Sequence, residues 1–404
     1  MKKVFLLFSV FSCLISTGQE LQSYIEEAVS NNPSISSAEL RYGIAKEKIA
    51  EVNSLPNTTI GISYFGSMPE TRLGAQQGRF SVSQMLPWFG TISARENYSS
   101  SMAESEYVEI AIAKRKLALS VAQSYYALYA ITAKQEVLGQ NIQLLQTYEQ
   151  LALTSVEVGK ASVVDVLRLQ IRQNELRQQQ KVLQEEYVAE RSAFNILRNQ
   201  SQTLAVEVVA ELELPAEDID YPDDAILANP EVLKYDKLYE SVTQLEVLNQ
   251  KERSPSLGFG LDYIPVAERT DMNPSDNGKD IVMPMVTFSI PIFNQGYKSI
   301  SKQNELKQRE IQSQKEQRLN ILKTLLANAI SERNQARILF ETQAQNLKQA
   351  KDAEEILIKN YETGTIDFND LLDIQELQLK FEMSQIEAIK TYYKQRSIIN
   401  YLIS

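Results

Sequence analysis

The spacing of apolar positions along this chain changes several times, and the same succession of spacings occurs twice. From Leu21 to Val52 apolar residues recur three and four apart (Ile25, Ala28, Val29), which predicts a helix, with Asn31-Asn32-Pro33 breaking or kinking it early. After Leu55-Pro56 the period shortens to two. Thr59-Ile60-Gly61-Ile62-Ser63-Tyr64 alternates apolar with small or polar residues, as a half-buried strand does. A loop over Gly66 to Gly78 leads to Phe80-Ser81-Val82-Ser83, which alternates again and is closed by Pro87-Trp88-Phe89-Gly90. The pattern predicts a strand, a loop and a return strand. From about Thr91 to Val156 there is no proline, and Leu117, Val121, Ser124, Leu128, Ile131, Gln135, Leu138, Ile142 and Leu145 alternate four and three apart. That is a heptad seam, predicting one supercoiled helix on the order of 100 Å long at ~1.5 Å per residue. A shorter helix is predicted from Val163 to Asn199.

The succession then repeats. Ala225 to Gln250 reads as a helix with Asn229-Pro230 near its start, and Ser254-Pro255 echoes Leu55-Pro56. Leu257 to Tyr263 alternates strictly, a polar loop runs from Pro265 to Lys279, and Val286 to Ile290 forms the return strand. Pro291-Ile292-Phe293-Asn294-Gln295-Gly296 repeats the proline–aromatic–glycine exit. The second long helix spans about Tyr297 to Tyr361, with Leu322, Leu326, Ala329, Arg333, Ala336, Phe340, Gln343 and Leu347 on its seam, and a last helix runs from Asp367 to Ile403. Between the copies the sequence is acidic, holds two prolines and has no heptad. We therefore divide the chain into a first repeat (19–204), a linker (205–224) and a second repeat (225–404). In each repeat the two shorter helices laid end to end match the long one. A two-stranded coiled-coil rod with one discontinuous strand has that property, with the strands at one end and the helical tip near the other.

The tips show the duplication most directly. Val156 to Gln170 (VEVGKASVVDVLRLQ) and Tyr361 to Gln375 (YETGTIDFNDLLDIQ) align Gly159 with Gly364, Asp165 with Asp370, Leu167 with Leu372 and Gln170 with Gln375, always 205 residues apart. Glycine ends a helix in the left-handed conformation and an aspartate soon after suits the start of the next, so each copy reads as the tip of a helical hairpin.

Composition narrows the possibilities. Lys2 and Lys3 precede the apolar run Val4 to Ile15, and Ser16-Thr17-Gly18 supplies small residues, which predicts a signal peptide over 1–18. A competing reading makes Cys13 a lipidated N-terminus. Loss of residues 1–18 takes the formal charge from −11 to −13, and no basic patch suggests nucleic acid. Cys13 is the only cysteine and there is no histidine, which excludes Ser-His-Asp and Cys-His catalysis and histidine metal sites. No nucleotide loop or nucleophile–base pair is visible, so neither an enzyme nor a cofactor is expected.

In each predicted strand one face is apolar (Ile60, Ile62, Tyr64; Phe80, Val82; Leu257, Phe259, Leu261, Tyr263; Val286, Phe288, Ile290) and the other small or polar. In an exported chain this fits a membrane β-barrel with a wet lumen. The alternative is a sheet packed on a helix, but the helices already have seams for one another. Four strands cannot close a barrel, and an open edge in lipid leaves backbone groups unpaired at several kcal/mol each. Other copies of the chain must complete the sheet.

At this point the chain resembles the TolC family of outer-membrane efflux proteins. The resemblance rests on the duplicated element order, the Y-x-x-G…D-L-L-x-x-Q tip at Tyr361 to Gln375, the run Phe288-Ser289-Ile290-Pro291-Ile292-Phe293 with Gly296, and the opening Glu26-Glu27-Ala28…Asn31-Asn32-Pro33. It covers essentially the whole mature chain. It implies a mostly α fold with a small β part: long antiparallel helical hairpins forming a periplasmic α-barrel, and four strands given to a homotrimeric 12-stranded barrel in outer-membrane lipid. It also implies docking onto a periplasmic adaptor and an inner-membrane transporter, as the exit duct of an efflux or type I secretion system. By the same resemblance Asp370 and Asp373 fall where the family's acidic aperture rings stand, both on one helix face at i, i+3; the alternative is a helix-start residue and a solvated one. Tyr361 and Asp165 match positions that tie the closed tip together. Ile366 stands where the family's best-known member has a basic residue. Arg168 occupies the slot in repeat one that Asp373 occupies in repeat two, making an ion pair between the tips a substitute lock. Gly159 and Gly364 are assigned to tip geometry and adaptor contact, and Pro87, Gly90, Pro291 and Gly296 to the strand-to-helix transition. Trp88 and Tyr64 are candidate interfacial aromatics, Trp88 equally a packing residue. The rival class is a coiled-coil spacer or adaptor of the envelope without a pore.

Overall fold

A computed structural model of the chain describes residues 16–157, 159, 162–219, 221–222, 224–272, 274–362 and 368–403. The predicted signal peptide up to residue 15, and Gly364 with Ile366 in the second tip, lie outside the described residues. In chain order the elements are α1 (Ser16–Asn31), α2 (Pro33–Val52), β1 (Thr59–Tyr64), β2 (Glu70–Thr71), β3 (Gly74–Ala75), β4 (Gly78–Leu86), α3 (Thr91–Glu157) and α4 (Val163–Leu197). A 3₁₀ turn (Ala225–Ala228), α5 (Pro230–Glu252), β5 (Ser256–Ile264), β6 (Ile281–Ser289), α6 (Gly296–Glu362) and α7 (Phe368–Ile403) follow. Two compact units are present. The first comprises the chain up to Ala38, Ile110–Pro230 and everything from Arg318 on; the second comprises Glu39–Glu109 and Glu231–Gln317.

The first unit is built on the heptad seams. Leu117, Val121, Leu128, Leu138, Ile142 and Leu145 of α3 are all buried, as are Leu322, Ala329 and Ala336 of α6. One core cluster joins Leu138, Ile142, Leu145, Tyr148 and Ala152 to Val166, Leu169 and Leu176 of α4 and to Leu371 and Leu379 of α7. A second sets Val121, Tyr125 and Leu128 against Ala28 and Ile35 and against Phe194. The duplicated Asn-Pro pairs explain how helices end here. Asn32 accepts from the Ser34 backbone N–H (2.9 Å) and donates its amide to the Leu197 carbonyl at the end of α4 (2.8 Å). Asn229 donates to the Tyr401 and Leu402 carbonyls at the end of α7 (3.0 and 3.1 Å). Each proline then opens a helix, where its missing N–H is not needed, while the asparagine satisfies carbonyls that another helix leaves without partners.

The acidic segment between the repeats is an extended strap held by tyrosines. The Glu207, Val209 and Leu212 backbone N–H groups donate to the hydroxyls of Tyr24, Tyr125 and Tyr129 (3.2, 3.1 and 3.2 Å), and the Tyr393 hydroxyl donates to the Glu213 carbonyl (2.5 Å). Val206 and Leu212 are buried beneath it. The strap ends on Asp218, which takes a fork of two 3.0 Å hydrogen bonds from Arg337 and one of 2.5 Å from the Tyr392 hydroxyl. Arg333, a polar residue on the predicted seam, is buried because it faces the same carboxylate at 3.6 Å.

The second unit carries an antiparallel sheet of order β1-β4-β5-β6, with β1 and β6 as its edges. Strand β1 has the predicted bounds. Strand β4 runs on to Leu86, and β6 starts five residues before the predicted Val286, passing through Pro284, which stands opposite Leu261. An edge strand tolerates a residue without an N–H when that nitrogen turns to the open side, and a proline in the pattern argues against a strand when only sequence is read. The loop predicted over Gly66 to Gly78 contains the small β2–β3 hairpin. It is stitched to the loop after β5 by Gln77 N–H to Pro265 O, Ala267 N–H to Ala75 O and Gly278 N–H to Leu73 O (3.0, 2.8 and 2.8 Å). Gly74 makes this possible: its φ is +132° and a Cβ there would lie 1.7 Å from the Ala267 carbonyl oxygen. Helix α5 packs through Asn249, whose amide donates to the Tyr297 carbonyl and the Ser301 hydroxyl, both at 3.0 Å.

Candidate functional site: the sheet faces and the helical tips

Burial in the sheet is inverted relative to a water-soluble fold. Its apolar face is the open one: Ile60, Ile62 and Tyr64 are 72–75% exposed, Phe80 and Val82 48%, Phe259 and Leu261 48–50% and Val286 and Phe288 59–63%. Among the described residues no helix covers it, whereas a sheet packed on a helix would bury these side chains. The register aligns these residues into rows across all four strands, Ile62–Phe80–Tyr263–Val282 and Ile60–Val82–Leu261–Pro284. The opposite face holds Thr59, Gly61, Ser63, Ser81, Ser83, Gly258, Gly260, Asp262 and Thr287, with Met85, Met283 and Met285 among them, and Gly258 and Asp262 are buried. Such a face presents apolar groups where water would be unfavourable and polar groups where lipid would be. Among the described residues no helix is long and apolar enough to cross a membrane.

Past the strand ends lie residues that the sequence reading quoted without assigning a role. Phe89, Ile292 and Phe293 are 82%, 73% and 96% exposed, beside Pro87, Trp88, Gly90 and Pro291. They form apolar, aromatic-rich corners where strand becomes helix, as an interfacial girdle requires. Trp88 is 38% exposed and meets Phe89 edge-on at 5.7 Å. Gly90 adopts φ +81° and its carbonyl accepts from Ala94, starting α3. The Gly296 N–H donates to the Asn294 side chain (2.9 Å) at the start of α6.

At the first tip Gly159 has φ +74°, the left-handed conformation expected there. Asp165 is engaged locally: it accepts from the Ser162 N–H (3.1 Å) while the Ser162 hydroxyl accepts from Val164 (3.2 Å), a capping box that starts α4. Tyr361 packs half-buried against the first core cluster. Asp370 and Asp373 are exposed on the first turns of α7, and neither carboxylate is ion-paired among the described residues. Arg168 is placed beside Asp373 but hydrogen-bonds the Asn369 side chain instead. The ion pair joining α4 to α7 lies one turn further on, Arg172 to Glu376 at 3.6 Å. Arg168, Arg172, Asn369, Asp373 and Glu376 line a cleft of about 260 Å³.

Behind each tip is a clamp that the sequence reading touched only at Gln170 and Gln375. Glu149 of α3 accepts from Gln170 and Gln173 of α4 (both 2.7 Å), and Gln173 also donates to the Leu145 carbonyl (3.4 Å). Exactly 205 residues later Glu354 of α6 accepts from Gln375 and from Gln378 (2.8 Å), and Gln378 also donates to the Ala350 carbonyl (3.2 Å). The second clamp has an extra member: the Tyr148 hydroxyl donates to Glu354 at 2.8 Å, tying one hairpin to the other. Burial and this carboxylate both push the Tyr148 hydroxyl up, so it remains a donor at neutral pH. The signal was present as i, i+3 glutamines facing a glutamate at the same offset in both repeats.

The profile of the outer membrane efflux protein family matches residues 24–195. No curated protein is significantly similar in sequence. Among solved structures, CusC superposes with a TM-score of 0.77 at 13% identity, covering 96% of this chain and 92% of its own. The outer-membrane protein VceC of Vibrio cholerae gives 0.73 at 16% (95% and 96% covered), and the MtrE outer-membrane channel of Neisseria gonorrhoeae in its open state gives 0.75 at 17% (95% and 88%). Residues 24–195 thus match the model of the outer membrane efflux protein family, and over 95–96% of its length the chain has the fold of these TolC-like channel structures.

Proposed function

We propose that this protein is a trimeric outer-membrane channel, the exit duct through which an efflux or type I secretion assembly passes small molecules or ions. The observation that carries the reading is the inside-out sheet: an apolar face 41–75% exposed from Ile60 to Phe288, bounded by two edge strands. Three copies would supply twelve strands and leave no edge, which removes the cost of unpaired backbone in lipid. Residues 1–18 are the export signal, the two repeats provide the two helical hairpins, and these extend in the periplasm toward an adaptor and an inner-membrane transporter. Gly159 and Gly364 shape the tips for that contact, and Pro87, Gly90, Pro291 and Gly296 turn strand into helix.

Asp370 and Asp373, with Arg168, Tyr361 and Asp165 around them, form the periplasmic aperture. Exposed carboxylates without cationic partners, repeated threefold at a constriction, favour cations. Two experiments test the reading. The mature protein should require detergent for extraction and conduct in planar bilayers as a trimer; a stable water-soluble monomer with no affinity for lipid would end it. Replacing Asp370 and Asp373 together by alanine should lower cation preference, and an unchanged preference would remove the aperture assignment.

A further inference from the structure

Across the four strands of the sheet only two side chains carry charge, Arg79 on β4 and Asp262 on β5, and both lie on the polar face. They are paired with each other, and their exposure is unequal. The Asp262 side chain is 0% exposed, whereas Arg79 is 41% exposed. Arg79 also rests its guanidinium on the Met285 sulfur at 3.8 Å. Neither Asp262 oxygen is buried against any other hydrogen-bond donor among the described residues. A carboxylate in that position is tolerable only while its cation stays, since an unpaired buried charge is strongly unfavourable. Asp262 therefore pins Arg79. Around the pair, Gly258 and Gly260 precede Asp262 on the same face and Ser81 stands beside it in register, while the uncharged Met283 faces it from β6 and Met285 lies against Gly260. The guanidinium is the one charged group that stands up from this surface, at the strand ends next to the stitched loops.

We propose that Arg79, held by Asp262, is a specificity-determining residue of the barrel segment: a threefold cationic ring at its loop end that attracts carboxylate- and phosphate-bearing solutes. This rests on the trimeric channel reading. A ring of arginines selects for anions where a ring of aspartates selects for cations, so the duct would present opposite charge at its two ends. The negative partner is set back behind the surface, which leaves the positive end of the pair facing the lumen.

The test is ion selectivity of the purified full-length protein in planar bilayers, with chloride and potassium as the permeant pair. Asp262→Asn frees Arg79 from its counter-charge and should raise the chloride-to-potassium permeability ratio by about twofold; Arg79→Gln should lower it by a similar factor, as three charges across a water-filled lumen allow. Arg79→Lys keeps the charge and should stay near wild type. The neutral double variant Arg79→Gln/Asp262→Asn keeps shape without burying a lone charge, and should resemble Arg79→Gln in selectivity while folding normally. On the unaltered protein, citrate added to the chamber facing the loops should block current, and citrate from the opposite side should not. A conducting wild type without citrate block, or with neutral variants of unchanged ratio, would overturn the proposal alone. A wild type that forms no conducting trimer would overturn the channel reading beneath it.

Discussion

The two glutamate clamps make a controlled comparison, because the same substitution can be placed 205 residues apart in near-identical surroundings. Glu149→Ala removes the carboxylate that Gln170 and Gln173 share; Glu354→Ala does the same to Gln375 and Gln378 and also removes the carboxylate to which the Tyr148 hydroxyl donates. Gln173, Gln375, Gln378 and Tyr148 are all buried, whereas Gln170 is exposed. Hydrogen bonds to a charged acceptor contribute about 1.5–3 kcal/mol, and the half-buried carboxylates put these at the low end. We expect a local loss of about 2 kcal/mol for Glu149→Ala and about 3–4 kcal/mol for Glu354→Ala. The sharper quantity is the coupling to Tyr148→Phe, about 1–1.5 kcal/mol with Glu354→Ala and near zero with Glu149→Ala. Hydrogen exchange of detergent-solubilised protein reads this directly, through slow amides in the last turns of α6 and the first turns of α7. At ~1.4 kcal/mol per decade, Glu354→Ala should speed their exchange by about two to three decades. If Tyr148→Phe accelerated exchange equally in both glutamate backgrounds, the hydroxyl would not be a tie between hairpins, and the argument would fail.

Two further outcomes follow from named contacts. Burial alone would raise the Asp218 carboxyl, but hydrogen bonds from Arg337 and Tyr392, with Arg333 nearby, outweigh it and hold the group below its ordinary value of 3.8. A depressed folded pKa contributes stability that is present above 3.8 and lost as pH falls through the lower folded value. Wild type should therefore lose thermal stability below about pH 4 more steeply than Asp218→Asn, and parallel acid profiles would refute this. Gly159→Ala should cost about 1 kcal/mol of local stability from its positive φ alone, since nothing lies within 4 Å of the added Cβ; Gly159→Asn should recover part of it. Tip proteolysis rates would show the order Gly, Asn, Ala, and a different order would contradict the left-handed assignment.

Periodic features of the fold were legible in the sequence, while features made by single side chains were less so. Both 67-residue helices, α3 and α6, follow from seams that no proline interrupts. Strand β1 was fully delimited by its alternation, while Pro284 hid the first half of β6. The tyrosine-held strap could not be read, because its partners stand about 80 to 180 residues away and match no local pattern. At the tip, Arg168 stands in the slot of Asp373 by repeat position, and what it hydrogen-bonds in the structure is the Asn369 side chain, a partner that the repeat does not indicate. Asp165 was read as a tie between tips, and its carboxylate is spent on the first turn of its own helix. The Arg79–Asp262 pair was visible only as two charges in alternating strands; their opposite depths required coordinates.

Pro284 has a consequence for how the margins of the sheet can be met. A single copy offers two bare strand margins, and any stray extended peptide is a potential mate. At position 284 the outer margin of β6 has an acceptor but no donor, so a mate that needs an unbroken ladder loses a rung there. Two β6 margins brought together would each lack that rung, which disfavours like-with-like pairing. In the trimer proposed above, β6 would instead meet β1, whose residues all keep their donors, so that only one side of the joint lacks the rung.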